Sequence, residues 1–284
     1  MKSLVDLIES IAPLRICVAG DTIIDEYRYC TALNKSPKES LIPVQCSTAE
    51  TFLGGVHAAA NHLRTFCSSV DVLSTGPITR KVRFVEMPYA RKVFEYHHSE
   101  GNAEFGLDTV DHDVLIVTDF GHGEYNKDSR DRICDQKVFL AVNAQTNSAN
   151  FGYNLITNYW RADYIVIDEP EARLAAHDRD SPIEVVIEKL AEGRCDKFIV
   201  TRGTEGAVGF DGTRFARRKA FTNRVVDTMG AGDAFFAVTA PMAKHASLED
   251  LLLIGNAAGA IKCQILGHRE PVTKTELIKF LESQ

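Results

Sequence analysis

Short apolar runs recur along the chain and are separated by stretches with helical periodicity. The runs are rich in Val and Ile, which is typical of strands buried on both faces. They occupy residues 16–19, 70–73, 114–117, 138–142, 164–167 and 198–200. The stretches between and after them predict helices at residues 58–66, 124–134, 183–191, 232–244 and 248–266. This alternation predicts an α/β fold with a central, mostly parallel sheet flanked by helices.

Two regions interrupt the alternation. Residues 26–52 and 82–96 contain segments in which apolar and polar side chains alternate, which predicts strands with one exposed face. We expect these strands to form a small β-sheet lid over the carboxyl ends of the central strands, where open α/β sheets bind ligands. Because no repeat or linker divides the chain, residues 1–284 are expected to form one domain with this appendage.

Composition narrows the class of partner. The chain has 284 residues, 45% of them hydrophobic, and a formal net charge of -7. Binding to nucleic acid or to an anionic membrane would need clustered excess Lys and Arg, so neither is expected. The apolar runs are far shorter than the roughly 20 residues that span a bilayer. The N-terminal segment lacks the pattern of a signal peptide, and we expect a cytoplasmic protein with a small-molecule partner.

The cysteines and histidines do not predict a metal site. Seven cysteines are scattered without a Cys-x-x-Cys pair, so neither a disulfide framework nor a thiolate zinc site is expected. His97 and His98 are adjacent in sequence, and neighbouring side chains on a strand point to opposite faces. A shared metal between them is therefore not expected.

The clearest chemistry lies in residues 225–236, where a strand-like run meets Gly-Ala-Gly-Asp and an apolar helix. Gly230, Ala231 and Gly232 allow a close backbone approach to a ligand, and the N–H groups of the following helix would face an anion. Asp233, in the first helical turn, would face the same point. A carboxylate beside a phosphate suits a base that accepts the proton of an attacking hydroxyl. A plain turn with an acidic helix start is the alternative for these four residues alone.

The longer string Asp-Thr-x-Gly-Ala-Gly-Asp-x-Phe, residues 227–235, closely resembles the signature of the ribokinase (PfkB-type) carbohydrate kinases. Further matches follow the family's order, at Gly20-Asp21 with Asp25, at Gly54-Gly55 and at residues 201–206. The resemblance implies a ribokinase-like fold, ATP and Mg²⁺ as cofactors, and a sugar as phosphoryl acceptor. It also implies a homodimer formed through the lid strands, and it allows a requirement for a monovalent cation.

Within the family, three segments resemble the heptose 7-phosphate kinase half of bifunctional heptose-phosphate kinase and nucleotidyltransferase enzymes. These segments are residues 20–27, 36–44 and 119–123. The resemblance implies phosphorylation of the anomeric hydroxyl of a heptose 7-phosphate. Another sugar, a nucleoside, or a catalytically silent sugar or nucleotide sensor of the same fold are the alternatives. A dinucleotide-dependent oxidoreductase is not expected, because no Gly-x-Gly-x-x-Gly follows the first strand.

The resemblance assigns substrate roles to Asp25, which would accept hydrogen bonds from sugar hydroxyls, and to Gly54 and Gly55, whose backbone would pack against the sugar. A surface charge and a structural turn are the respective alternatives. Arg80, Lys81 and Arg83, near the lid strands, are candidates for binding a substrate phosphate, and Arg83 is the first choice because guanidinium groups bind phosphate oxygens in pairs. Solvated strand charges are the alternative for all three.

Asp168 and Glu171 match the family's Asn-x-x-Glu element, with Asp in place of Asn, and they are the candidate magnesium residues. An acidic helix start with Pro in its first turn is the alternative. By the same resemblance, four residues are candidates for nucleotide binding: Thr201, Gly203, Gly206 and Asn256. A hairpin turn is the alternative for the first three, and tight helix packing for Asn256.

The chain departs from the family at two places. Ala58 stands where the family usually has a sugar-binding Asn, and His57 is a possible replacement or a packed helix residue. The segment that contains Gly76 is short, since the family normally has a further helix and strand before the lid strand. We therefore expect that one βα unit is missing and that the sheet is narrower at one edge.

Overall fold

Strands and helices alternate along most of the chain. The structure is a computed structural model, and it describes residues 3–87, 91–101, 106, 110–221 and 225–284. Within these residues the strands are β1 (Arg15–Gly20), β2 (Thr22–Ala32), β3 (Val44–Gly55), β4 (Ser69–Leu73), β5 (Ile78–Glu86), β6 (Arg91–Glu100), β7 (Val114–Asp119), β8 (Phe139–Ala144), β9 (Ala162–Asp168), β10 (Cys195–Thr201), β11 (Ala207–Phe210) and β12 (Phe215–Arg218). The helices are α1 (Leu4–Glu9), α2 (Val56–Leu63), α3 (Lys127–Cys134), α4 (Glu169–Ala176), α5 (Ile183–Ala191), α6 (Ala231–Thr239), α7 (Leu248–Lys262) and α8 (Lys274–Glu282). None of these helices is long and apolar enough to cross a membrane.

Eight of the described strands form one large sheet in the order β12-β11-β10-β9-β8-β7-β1-β4. The six strands β4, β1, β7, β8, β9 and β10 are neighbours in that order and pair in parallel. β11 and β12 continue the sheet beyond β10 and pair antiparallel. β7 is buried along its whole length, because apolar helix faces cover both sides of the sheet. Helices α2, α6 and α7 pack on one side, and α3, α4 and α5 pack on the other. The predicted fold class is confirmed.

The sequence predicts the presence of the helices more accurately than the residues at which they end. The prediction at residues 183–191 coincides with α5. The prediction at residues 248–266 is wrong by four residues at its C-terminus, since α7 ends at Lys262. The chain then turns back through Gly267, whose φ of +54° favours glycine. The helical periodicity of the apolar residues continues past the point at which the backbone leaves the helix.

Four strands form a separate small sheet in the order β3-β2-β5-β6. Its two antiparallel pairs, β2 with β3 and β5 with β6, are joined by a parallel pairing of β2 with β5. The predicted accessory sheet is confirmed, and its first strand begins earlier than expected, at Thr22. Residues 88–90 of the predicted lid segment lie outside the described residues. That this sheet acts as a lid stays a prediction.

The small sheet is attached to the large one through a short link, residues 74–77, which joins edge strand β4 to β5. The carboxylate of Glu124 accepts the backbone N–H groups of Thr75 at 2.8 Å and of Gly76 at 2.7 Å. A Cβ at Gly76 would lie 2.1 Å from the same carboxylate, so only glycine fits there. The link is therefore held firmly against the turn that follows β7.

The carboxyl end of β1 forms a second attachment. Asp21 is fully buried, and its carboxylate accepts the N–H groups of Phe120 at 2.7 Å, His122 at 3.1 Å and Glu124 at 3.2 Å. Its backbone carbonyl accepts the N–H of Val56, the first residue of α2, at 3.1 Å. One residue thus joins β1, the turn after β7 and the start of α2.

His62 in α2 gives the fold a pH-dependent contribution. Its side chain is 2% exposed, and its Nδ1 accepts the N–H of Val272 at 2.8 Å. Burial, together with the nearby charge of Lys262, lowers the pKa of His62 to about 3. The unfolded chain takes up a proton at this histidine near its ordinary pKa of about 6.5, and the folded chain does not until about pH 3. Stability should therefore fall as pH falls between these values.

We predict that lowering the pH from 7 to 5 removes about 2 kcal/mol of unfolding free energy through His62 alone. A His62→Asn variant keeps an acceptor at the position of Nδ1 but cannot take up the proton. Urea unfolding of both proteins at both pH values measures the difference. Equal pH dependence of wild type and variant would show that His62 does not contribute.

Candidate functional site

The anion loop, residues 227–232, leads into α6 with Gly230 as its N-cap. Gly230 has a φ of +76°, a left-handed conformation that glycine adopts without strain. A Cβ at Gly232 would meet no atom within 4 Å, so the surface above the first turn is open. The N–H of Gly232, at the positive end of the helix dipole, therefore lies beside space that an anion can enter, while the N–H of Ala231 donates to the carbonyl oxygen of Thr228 at 3.3 Å.

Asp233 lies in the same first turn of α6 and remains partly exposed. The side-chain amide of Gln145 donates a hydrogen bond to its Oδ1 at 2.5 Å. Burial raises the pKa of Asp233, and the nearby His268 and the bond from Gln145 offset this only in part. A carboxylate with a raised pKa is a stronger proton acceptor, which suits a general base.

Asp25 lies on β2 and is 3% exposed. A Cβ at Gly54, on the neighbouring β3, would lie 2.4 Å from its Oδ2, so the pair requires glycine. The carboxylate pairs with Arg83, and His268 Nε2 lies 3.2 Å from Oδ2. Burial by itself would raise the pKa of Asp25, but the bonds from His268 and Arg83 outweigh it and lower the pKa to about 2. Asp25 is therefore ionised at neutral pH and can only accept hydrogen bonds.

Gly55 brings the backbone of β3 close to the end of β1, beside Asp25. Its φ is +58°, and a Cβ there would lie 2.3 Å from the carbonyl oxygen of Asp21. The Gly54-Gly55 turn thus holds β3 close both to Asp25 and to the end of β1. The structure brings together the three residues that the resemblance assigns to sugar binding.

Arg83 lies beneath Asp25 rather than facing open space. It is 6% exposed, its Nε lies 2.6 Å from Glu95 Oε2, and its guanidinium stacks over the ring of Tyr27 at 5.6 Å. Two carboxylates therefore already occupy the guanidinium, and its role in binding phosphate stays a prediction. Lys81 differs, since its ammonium has no hydrogen bond or ion pair among the described residues. Burial lowers its pKa, and the charge of Asp25 acts in the opposite direction.

Asp168 and Glu171 form a capping box at the start of α4. Asp168 Oδ1 accepts the N–H of Glu171 at 2.7 Å, and Glu171 Oε2 accepts the N–H of Asp168 at 2.9 Å. Thr146 donates its N–H to the other Glu171 oxygen at 3.0 Å. Burial, together with the negative charges of Asp168 and Asp233, raises the pKa of Glu171 to about 8.

These carboxylates fit a hydrated divalent cation. A cation would offset the repulsion among them, and both oxygens of Glu171 already accept backbone N–H groups, which favours contact through water. The described residues hold no cluster of three or more His, Cys, Asp or Glu that could bind a metal directly. The capping role is present in the structure, and the metal role stays a prediction.

The nucleotide candidates fall into two groups. Thr201 at the end of β10 and Gly203 line a surface groove together with Asp168. Gly206 and Asn256 meet instead at the end of β12. A Cβ at Gly206 would lie 2.0 Å from the carbonyl oxygen of Arg218, and the Asn256 amide donates to the same oxygen at 3.3 Å. The first pair faces open space, while the second pair packs against backbone.

Four further residues contact the site and were not identified from the sequence. They are Gln145, Thr146, Lys262 and His268. The first two directly follow β8, and the carboxyl end of a parallel strand was a usable signal for them. The other two lie at and beyond the end of α7, and no local pattern distinguishes them from ordinary surface residues.

Comparison with known proteins supports a kinase domain. Residues 136–275 match the model of the pfkB family carbohydrate kinases. "Probable fructokinase-6, chloroplastic" of Arabidopsis thaliana is 31% identical over 129 residues, which is 42% of this chain and 34% of that protein. "Bifunctional protein HldE" of Methylobacillus flagellatus is 34% identical over 113 residues, which is 39% of this chain and 23% of that protein. The chain thus spans between 23% and 37% of the length of the curated relatives it matches.

The solved structures agree at the level of the fold. The ribokinase of Thermotoga maritima superposes with a TM-score of 0.72 at 18% identity, and the match covers 95% of this chain and 99% of that one. The superposition includes both sheets, because it covers nearly all of both chains. Residues 136–275 therefore match a PfkB-family carbohydrate kinase domain, and the chain has the ribokinase fold.

Proposed function

We propose that this protein transfers the terminal phosphoryl group of ATP to a hydroxyl of a sugar or sugar phosphate, with Asp233 as the base. The position of His268 is the main support. A Cβ at Gly230 would lie 3.4 Å from its Cε1, and its Nε2 lies 3.2 Å from Asp25 Oδ2. One imidazole ring therefore separates the anion loop from the sugar-binding candidates, which suits a hydroxyl held near Asp25 attacking a phosphate held near Gly230.

The transfer follows from this arrangement. Asp25 accepts hydrogen bonds from sugar hydroxyls and orients the sugar, and Asp233 accepts the proton of the attacking hydroxyl as its oxygen bonds to phosphorus. The bond from phosphorus to the bridging oxygen of ADP breaks, and the N–H groups at Gly230, Ala231 and Gly232 stabilise the charge on the phosphoryl oxygens.

Asp168 and Glu171 would hold Mg²⁺ through water, and the ion would neutralise charge on the nucleotide phosphates. Thr146 and Gln145 are adjacent in sequence and contact Glu171 and Asp233 respectively. The metal residues and the base are thus linked through two successive residues after β8. Thr201 and Gly203, in the groove beside Asp168, are the nucleotide residues with open space next to them.

A heptose 7-phosphate, phosphorylated at its anomeric hydroxyl, is the substrate we infer. The resemblance in residues 20–27, 36–44 and 119–123 and the partial match to the protein named HldE support it. Lys81, whose ammonium lacks a partner among the described residues, offers a cation for the substrate phosphate. Location in the cytoplasm and a homodimer formed through the small sheet remain predictions.

The direct test incubates the purified protein with MgATP and a panel of heptose 7-phosphates, hexoses, hexose phosphates and nucleosides, and detects phosphorylated products by mass spectrometry. We expect one strong product, from a heptose 7-phosphate. Binding of a sugar or ATP without any product from the panel would favour the sensor of the same fold and would contradict the kinase.

We predict that Asp233→Asn lowers kcat for the best substrate about 1,000-fold and leaves KM nearly unchanged, because the base acts only as the hydroxyl attacks. Release of ADP measures the rate. Asp211→Asn is the matched control, since Asp211 only caps the turn after β11 by accepting the N–H groups of Thr213 and Arg214. Normal turnover by the Asp233→Asn protein would refute the mechanism.

We predict that Lys81→Met raises KM for a phosphorylated sugar about tenfold to 100-fold, the value of one charge-assisted hydrogen bond, and leaves KM for the unphosphorylated sugar unchanged. Arg83→Met should raise both KM values, because Asp25 loses its partner. Steady-state kinetics with a sugar and its phosphate measure both variants. A selective effect of Arg83→Met, with none from Lys81→Met, would assign the phosphate to Arg83.

A further inference from the structure

Lys262 is a fully buried cation beneath the anion loop. It is the last residue of α7, and its side chain is 0% exposed. Its ammonium donates to the carbonyl oxygen of Gly267 at 2.6 Å and to that of Met229 at 3.1 Å. Burying an ammonium group carries a large desolvation cost, so a lysine at such a position implies a specific need for its charge.

The ammonium lies where two loops meet. Asp227 joins the same two loops, since its carboxylate accepts the N–H of Met229 at 3.1 Å and that of Gly267 at 3.1 Å. The backbone of Val226 adds a bond to Cys263 at 2.8 Å. These contacts hold the residues before Gly230 against the residues that lead to His268.

The surroundings of the ammonium are those of a cation site. Two carbonyl oxygens bind it directly, and Asp227 and Asp233 are near enough to affect its pKa. Burial lowers that pKa, and the two carboxylates act in the opposite direction. A Cβ at Gly230 would lie 3.7 Å from Nζ, so the charge sits directly under the glycine that opens the anion loop. Carbonyl and carboxylate oxygens are also what a potassium ion binds.

We propose that Lys262 is a positioning residue that acts as a built-in monovalent cation. Its ammonium fixes the Met229 and Gly267 carbonyls, orders the anion loop and places a permanent positive charge below the phosphoryl group. The protein therefore has no need of potassium for the reaction. The inference deepens the proposed function and, for its kinetic part, rests on it.

The test compares wild type with Lys262→Met in KCl and in tetramethylammonium chloride at equal ionic strength, because tetramethylammonium is too large for the site. The melting temperature is measured without substrate, and kcat and KM are measured with the sugar that the panel identifies. Wild type should give the same values in both salts. In tetramethylammonium the variant should lose about tenfold to 100-fold in kcat with little change in KM for the sugar. Potassium should restore part of that rate and raise the melting temperature of the variant alone.

Lys197→Met is the matched control, since the Lys197 ammonium also donates to two carbonyl oxygens, those of Ala243 at 2.6 Å and Ala246 at 2.8 Å. Lys197 lies near the start of β10, away from the anion loop, so its variant should lose stability without responding to potassium. Lys262→Arg keeps the charge and should stay indifferent to potassium.

Three results would overturn the inference. They are a potassium requirement of the wild type, a potassium-dependent rise in its melting temperature, and a Lys262→Met response no larger than that of Lys197→Met. If the Lys262→Met chain does not fold, the wild type and the Lys262→Arg variant are still compared in the two salts. A response of either protein to potassium would contradict the inference. If the wild type phosphorylates no sugar, the proposed function fails, while the melting temperatures still test the cation.

Discussion

The buried carboxylate of Asp21 is the constraint on which the geometry of the site depends. It satisfies three backbone N–H groups in the turn after β7, and its carbonyl receives the start of α2. β2 begins at the next residue, and Glu124 in that turn holds the link to β5. Both chain crossings from the large sheet into the small one are therefore fixed at one place. Removal of this carboxylate would leave three backbone donors unsatisfied, two of them buried.

The two carboxylates to which we assign chemical roles, Asp25 and Asp233, have opposite pKa shifts because their surroundings differ. Asp25 has a cationic partner and a histidine donor, and its pKa falls to about 2. Asp233 accepts a hydrogen bond from the Gln145 amide, and burial raises its pKa despite the nearby His268 and Lys262. Asp25 is therefore suited to accepting hydrogen bonds as a carboxylate, and Asp233 is suited to accepting a proton. This division arises when one pKa is lowered by ion pairing and the other is raised by desolvation.

The sequence predicts what local patterns determine. The apolar runs at residues 114–117 and 164–167 give central strands, because a strand covered on both faces must be apolar throughout. The glycine-rich turn before Asp233 was recognisable because few other residues fit it. Lys262 lies inside an apolar helical pattern that predicts a longer helix, so nothing in the local sequence marks it as a buried cation. His268 contacts Asp25 across 243 positions of sequence, and such a contact depends on the packing of the whole chain rather than on neighbouring residues.

The shortness of the link at residues 74–77 has a mechanical consequence. Four residues reach about 14 Å when fully extended, and here the middle of the tether is fastened to the Glu124 carboxylate. The small sheet is also attached directly after β1, at Asp21, and where β3 runs into α2 at Gly55. These short connections hold its base against the carboxyl end of the large sheet. Asp25 lies four residues from Asp21, so a movement of the small sheet relative to the large one displaces Asp25 less than it displaces the far ends of β2 and β3.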